Sequence, residues 1–294
     1  MDEKIIEKII EKIIENEIYA PVNFADCEKT DWGILFFDEH NPACISANHA
    51  VITDPGTDLF KAAVQTRDFY LSKSLLPRIE TPFCGLTGEN QIKALERAGF
   101  FREYRHKAKQ SGAERKAAGV FKSILKEAPG DEFSDHPDRF ENRVVCMIKT
   151  NPAVQKKQGP LSVSGENSFG SELCKTLFGT DSEYIQTMVN RLCLSQKAHF
   201  FVGRLFGDGV SICTIEEGKE LCRLTNVFTG MGFRHCGFAE KTVGFAAFEH
   251  EKNCSKPLYL LTENPRLTKL YQRAGFEITA LLDKPFSAVW REQK

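Results

Sequence analysis

The spacing of apolar residues along the chain predicts one isolated helix, followed by two runs of alternating strands and helices. Residues 3–16 place isoleucines along a single helical stripe. Further helices are predicted at 58–76, 89–98, 181–196, after Gly237, and at 266–274. Short apolar runs between turn residues predict strands at 32–37, 101–106, 144–148, 199–206, 210–215, 221–229, 258–262 and from 277. This order indicates an α/β protein with mixed, α+β-type sheets.

Breaks in the pattern divide the chain into four parts. These are an N-terminal amphipathic helix (1–17), a first module (18–110), a linker or insertion (111–143) and a second module (144–294). A segment rich in Gly, Ser and Pro at 159–171 is predicted to be a loop. Packing of the first helix on its own chain is the favoured interpretation, and a homodimer built on that helix is the alternative.

Composition narrows the classes of partner and cofactor. The 294 residues carry 39 Lys and Arg against 40 Asp and Glu, so the charge predicts no nucleic acid or membrane partner. Residues 1–4 open no signal peptide, which predicts a cytoplasmic protein. The 10 cysteines form no Cys-x-x-Cys pair, which favours a reducing compartment and predicts no metal site.

A short repeat relates the two halves of the chain. Arg-Ala-Gly-Phe occurs at 97–100 and again at 273–276. Under this alignment Tyr271 corresponds to Leu95, and no Arg-x-x-Gly-x-Ala sequence precedes the first copy. The first module is therefore predicted to keep a scaffold and to lack the chemistry of the second.

The loop after Thr229 is a candidate anion site. The sequence Arg234-His235-Cys236-Gly237-Phe238-Ala239 leads from a strand into a helix. Unpaired amides at a helix start favour anions, and a glycine lets a ligand approach the backbone, so the segment suits a pyrophosphate. By itself the string more often marks an ordinary strand–turn–helix connection.

The segment 258–276 adds a buried strand, Asn264, and a helix that carries Tyr271 and ends in Ala-Gly-Phe. Together with the loop, it resembles the GNAT superfamily of acyl-CoA-dependent N-acetyltransferases. The resemblance covers about 170–285, and a weaker resemblance covers 20–108. It implies two GNAT-like modules, of which the first is degenerate, and acetyl-CoA as co-substrate.

The resemblance also implies roles for individual residues. The backbone of Val227, Phe228 and Thr229 would pair with the pantetheine arm, and Asn264 would bond to the same arm. Tyr271 would be the general acid near the leaving thiolate. The pyrophosphate would be held by the amides of His235, Cys236, Gly237, Phe238 and Ala239, with Arg234. His235, Cys236 and Phe238 depart from the usual composition of that loop.

The proton acceptor and the substrate amine are not identified by the sequence. Glu216, Glu217, Glu220 and Asp208 are the carboxylates near the predicted strands, and each is more often a solvated turn residue. The leading hypothesis is direct acetyl transfer to a small-molecule or peptide amine. The alternative is a non-catalytic acyl-CoA-binding sensor or interaction module. In a third version, the cleft between the modules holds the acceptor. Trp32, Phe36, Phe37 and segment 41–49 are candidates for its lining, although such residues more often belong to the core and to turns.

Overall fold

A computed structural model describes residues 3–54, 56–81, 88–103, 143–152, 161–166 and 183–292. Most of the predicted linker, 111–142, lies outside the described residues. The helices are α1 (Glu3–Tyr19), α2 (Leu59–Ser72), α3 (Glu89–Arg97), α4 (Glu183–Ser195), α5 (Phe238–Asn253) and α6 (Thr268–Arg273). None of these described helices combines the length and the apolar content that crossing a bilayer requires.

The strands form two mixed sheets, which confirms the predicted fold class. The first sheet has the order β1-β2-β3-β4-β13-β5 and the second β12-β6-β11-β10-β9-β8-β7. The strands are β1 (Asp26–Lys29), β2 (Gly33–Phe37), β3 (His49–Ile52), β4 (Arg78–Glu80), β5 (Phe100–Arg102), β6 (Arg143–Lys149), β7 (Leu161–Glu166), β8 (Ala198–Leu205), β9 (Asp208–Glu217), β10 (Cys222–Thr229), β11 (Leu258–Thr262), β12 (Phe276–Asp283) and β13 (Ser287–Trp290).

The two sheets share one plan, as the internal repeat predicts. Each contains one parallel pair, β3–β4 and β10–β11, with a helix between its strands. Each also takes one strand from elsewhere in the chain: β13 lies between β4 and β5, and β6 lies between β11 and β12. The last described strand, which falls in the range assigned to the second module, therefore completes the first sheet.

The repeated glycine occupies the same place in both modules. Gly99 and Gly275 follow α3 and α6 with φ angles of +88° and +93°, a region that favours glycine. Their carbonyls accept from the amides of Arg291 and Asn151, at 3.0 and 3.2 Å, just after the inserted strands. A Cβ on Gly275 would lie 2.8 Å from the Asn151 carbonyl oxygen, so the Ala-Gly-Phe ending is a requirement of close packing.

The second sheet is covered on both faces. Side chains along β6 alternate, with Val145 and Met147 facing α5 and α6 and with Cys146 and Ile148 facing α1. Ile13 of α1 is fully buried there, whereas Ile5 near the start of the helix is 50% exposed. The first helix thus packs on its own chain, as the favoured interpretation predicts.

A core cluster joins the two modules. It combines Phe24, Ile34 and Phe36 of the first module with residues of α4, β8 and β9 such as Leu192 and Phe200. Burial of these side chains fixes the two sheets against each other through the hydrophobic effect.

One open alternative is decided by the structure, and one expectation changes. Trp32 and Phe36 are core residues, as the favoured interpretation predicts, and the Trp32 indole Nε1 donates to Gln65 Oε1 at 2.6 Å. The predicted loop at 159–171 contains β7, because Leu161 and Val163 alternate with serines and bury one face of an edge strand.

Candidate functional site

Strands β10 and β11 run in parallel and then separate. They pair only at Cys222–Leu258 and Arg223–Tyr259. Strand β10 also carries a bulge between Thr225 and Phe228, where Asn226 has φ +52°. Beyond Arg223 the β11-facing edge of β10 is therefore unpaired in the described structure, and an extended ligand can add to such an edge.

The loop after β10 is held at both ends and open in the middle. The rings of Phe233 and Phe238 lie 6.4 Å apart and pack against the core of the second module. Between them the chain turns outward, with left-handed φ angles of +64° at His235 and +74° at Gly237. Apart from its two chain neighbours, no described residue has an atom within 4 Å of the point where a Cβ on Gly237 would be, so the space beside this glycine is open.

The loop leads into the first turn of a helix. Helix α5 is capped by Gly237 without a side-chain acceptor, and the Lys241 amide donates to the Gly237 carbonyl at 3.2 Å. The amides of Phe238 and Ala239 lie in that first turn, where a helix supplies no carbonyl one turn back, and they carry the positive end of the helix dipole. This combination of open space and outward donors forms a cradle for an anion.

Two cations adjust the charge around this cradle. The Arg234 Nε–H donates to the Thr229 carbonyl at 3.2 Å, and its guanidinium lies 5.5 Å from the centre of the Phe228 ring. Glu240, in the first turn of α5, is paired with Arg273 at 2.6 Å. The acid in the first turn is thus offset, and the cradle keeps a positive character.

The corresponding helix of the first module has a closed start. The Asp58 carboxylate caps α2 and accepts from the amides of Phe60 and Lys61 at 3.0 and 3.2 Å. An anion cannot use donors that a carboxylate already holds, and the Asp58 charge repels it. The first module therefore keeps the helix but lacks the open anion site of the second module.

Tyr271 lies in the core cluster of the second module, together with Leu224 of β10 and Leu260 of β11. Its side chain is 5% exposed and its ring is edge-on to Phe276, with centroids 6.4 Å apart. Burial raises the pKa of the Tyr271 phenol to about 12, and an electrostatic interaction with the Cys213 thiol, opposite the bulge, acts in the same direction. The phenol therefore remains a proton donor at neutral pH. Leu95 holds the corresponding place in the first module and is buried.

Asn264 lies at the end of β11, beside the same opening. Its side-chain oxygen accepts from the Arg266 amide at 3.1 Å and caps the short 3-10 turn Pro265–Leu267. The side chain is exposed, and its NH₂ group donates to no described residue. The position is compatible with a bond to a bound cofactor.

Three of the four candidate bases lie near the start of β10, whereas the cradle follows its end. Glu216, Glu217 and Glu220 line a cavity of about 630 Å³ that also borders the end of α1. Glu217 pairs with the first residue of β10, and the cradle follows the last; at ~3.3 Å per residue the separation is roughly 20 Å. Asp208 begins β9 at the cradle end and is exposed.

A second cavity of about 450 Å³ lies between the modules and ends at the β10 bulge. Its lining is mainly apolar and includes Cys44, Ile45, Met188 and Phe200. Thr214 and Asn226 are polar residues of the same lining. Part of the segment 41–49 thus reaches a cavity, as one interpretation of the sequence proposed. Asn226 was not predicted, because a left-handed residue inside an apolar strand leaves no periodic signal.

One cluster of metal-ligand residues was also missed by the sequence. Cys222, His250 and Cys254 bring one ligand atom each to within 4.8 Å of one another. They lie at the start of β10 and the end of α5, so their spacing along the chain matches no short motif.

Comparison with known proteins identifies the fold. No family model matches the chain, and no curated protein matches it in sequence. A GCN5-related N-acetyltransferase from Kribbella flavida superposes over 96% of this chain and 95% of its own, with a TM-score of 0.57 and 11% identity. A conserved protein of unknown function from Staphylococcus epidermidis ATCC 12228 covers 90% and 94%, with a TM-score of 0.56 and 10% identity. The chain therefore has the GNAT fold that the sequence predicted, over both modules.

Proposed function

We propose that the protein is an N-acetyltransferase that moves an acetyl group from acetyl-CoA to a primary amine in a ternary complex. The observation that carries the proposal is the open cradle of α5 beside the separated strands β10 and β11. Tyr271 lies in the same core cluster as residues of both strands. The GNAT fold of the chain supports the same activity.

The cofactor is proposed to follow the open edge of β10. The backbone of Val227, Phe228 and Thr229 would pair with the pantetheine arm, and the Asn264 NH₂ would bond to that arm from the β11 side. The amides of the cradle and the Arg234 guanidinium would hold the pyrophosphate, whose charge suits both groups. Because Arg234 already bonds to Thr229, its position is set before the ligand arrives.

In the proposed reaction the amine nitrogen forms a bond to the thioester carbon, and the carbon–sulfur bond breaks. Tyr271 donates its proton to the leaving thiolate, and the proton of the new ammonium passes to water or to a base. An unburied thiol has a pKa of ~8.5, so transfer from a phenol near pKa 12 would be uphill by roughly 5 kcal/mol.

Burial of the leaving sulfur on binding would lower that cost. Cys213 of β9 interacts electrostatically with Tyr271. Burial raises the pKa of the Cys213 thiol well above its usual range. A sulfur buried at the same depth gains proton affinity in the same way. Tyr271 then acts as a strong hydrogen-bond donor while charge develops on sulfur.

The acceptor is proposed to bind in the cavity between the modules. That cavity reaches the bulge of β10 at Asn226 and is walled by Ile45, Met188 and Phe200. Such a wall favours an amine that carries an apolar group. Substitution of Met188 by Trp would fill part of the cavity, and we expect a higher KM for the amine with unchanged affinity for acetyl-CoA.

One observation favours the non-catalytic alternative. Three of the four carboxylates considered as bases lie at the opposite end of β10, and Asp208 is solvent-exposed at the start of β9. A module that binds acyl-CoA without turnover needs no base. The two functions differ in whether bound cofactor releases its thiol.

A thiol-release assay across a panel of amines separates them. Acetyl-CoA bound by the full chain should release thiol with at least one apolar amine. Tyr271→Phe should lower kcat by about 10- to 100-fold and leave cofactor affinity near normal. Leu95→Met, at the corresponding buried place in the first module, is the matched control and should keep full activity. Cofactor binding without thiol release from any amine would favour the sensor, and absence of binding would reject both functions.

A further inference from the structure

Two thiols and an imidazole converge where the end of α5 meets the start of β10. Cys222 is the first residue of β10, His250 lies in the last turn of α5, and Cys254 follows directly after that helix. The two Sγ atoms are 3.9 Å apart, and all three ligand atoms lie within 4.8 Å of one another. This group is called the Cys₂His cluster.

The spacing fits a tetrahedral metal ion better than a disulfide. A Zn–S bond is ~2.3 Å, so two thiolates on one tetrahedral zinc lie roughly 3.8 Å apart. The observed 3.9 Å matches that edge, whereas a disulfide needs ~2.05 Å. The cysteines are free thiols in the structure.

The imidazole is oriented as metal-bound histidines usually are. His250 Nε2 lies 2.8 Å from the Lys256 carbonyl oxygen, and an accepting carbonyl requires the ring proton on Nε2. Nδ1 then keeps its lone pair for a metal. A hydrogen bond from the second nitrogen to a backbone carbonyl is the common way in which proteins fix a histidine ligand.

The charges around the cluster are balanced. Glu217 is the cross-strand partner of Cys222, so its side chain shares that face of the sheet. Its carboxylate lies 3.7 Å from Lys256 Nζ and 2.8 Å from His199 Nε2. Two thiolates with a divalent cation add no further net charge, and a water molecule would take the fourth position.

We propose that Cys222, His250 and Cys254 bind a zinc ion that fastens the end of α5 to β10. The cluster is separated from the cradle by the 16 residues of α5, about 24 Å at the helical rise, so the ion would stabilise the fold and take no part in acetyl transfer. The proposal is independent of the proposed function.

The test measures metal in the full chain and in matched variants. Protein purified without chelators should contain about one zinc per chain, and Cys222→Ser with Cys254→Ser should abolish it. Cys27→Ser, at an exposed cysteine of β1, is the control and should keep it. With Co²⁺ in place of zinc, wild type should show the visible bands of a tetrahedral site and a thiolate charge-transfer band, both lost in the double variant.

A second measurement covers variants that fail to fold. Wild type stripped by a chelator should melt several degrees lower, with recovery on adding Zn²⁺ and none with Mg²⁺. The proposal is overturned if zinc content and Co²⁺ spectra are the same in wild type and double variant, or if stripping and Zn²⁺ leave the melting temperature unchanged. A disulfide between Cys222 and Cys254 found by mass spectrometry would overturn it as well.

Discussion

Replacement of Gly237 by Asp would place a carboxylate at the start of α5, where α2 already has one. At α2 the Asp58 carboxylate holds two amides, at 3.0 and 3.2 Å. The backbone at Gly237 has φ +74°, and the space around a new Cβ is empty. Asp is among the residues that tolerate this conformation best, so we expect the variant to fold at a cost of about 1 kcal/mol.

The loss of cofactor affinity can be worked out from the donors removed. A hydrogen bond to a charged group contributes ~1.5–3 kcal/mol, so a carboxylate that keeps the pyrophosphate away from two amides costs at least ~3 kcal/mol. The added negative charge acts in the same direction. We therefore expect the Kd for acetyl-CoA to rise at least ~150-fold.

Two matched substitutions separate the causes. Gly237→Asn has the same shape as Asp without the charge, and Gly237→Ala has neither the cap nor the charge. Calorimetry with acetyl-CoA should give affinities in the order Ala, Asn, Asp, with Asp the weakest. Wild-type affinity in a folded Gly237→Asp protein would refute the assignment of the cradle.

Three further predictions follow from buried groups. Burial keeps the Tyr271 phenol protonated up to about pH 12, so Tyr271→Phe should lower kcat by the same factor at every pH between about 6 and 9. A shifted midpoint of the pH profile of kcat would contradict this. Gly275→Ala should destabilise the protein by about 2 kcal/mol or more in urea unfolding, since its Cβ meets the Asn151 carbonyl; an unchanged midpoint would count against the packing. Arg223→Met should cost about 3–5 kcal/mol, because Glu216 and Glu17 would lose their buried partner; equal thermal stability would disprove it.

The sequence predicted the helices and most strands of the second module because their apolar periods are regular. The resemblance to GNAT proteins added the cradle, whose open geometry is a local property of Gly237 and its neighbours. The structure also explains why the first module was recognisable as a degenerate copy: Gly99 keeps its packing role while Asp58 closes the helix start.

The remaining features arise from contacts distant in sequence. The insertion of β13 between β4 and β5 depends on pairing across about 200 residues, which local periodicity cannot encode. The Cys₂His cluster was missed for the same reason, because Cys222 comes from a strand and the other two ligands from the end of a helix. His250 and Cys254 are four residues apart, and that helical spacing was the one local signal available.

The most direct test of the central claim compares two acyl donors by calorimetry on the wild-type chain. Acetyl-CoA carries the pyrophosphate that the α5 cradle is proposed to hold, and acetyl-pantetheine lacks it. We predict one acetyl-CoA per chain, bound at least ~100-fold more tightly than acetyl-pantetheine. Equal affinity for the two donors, or no detectable binding of acetyl-CoA, would contradict the account.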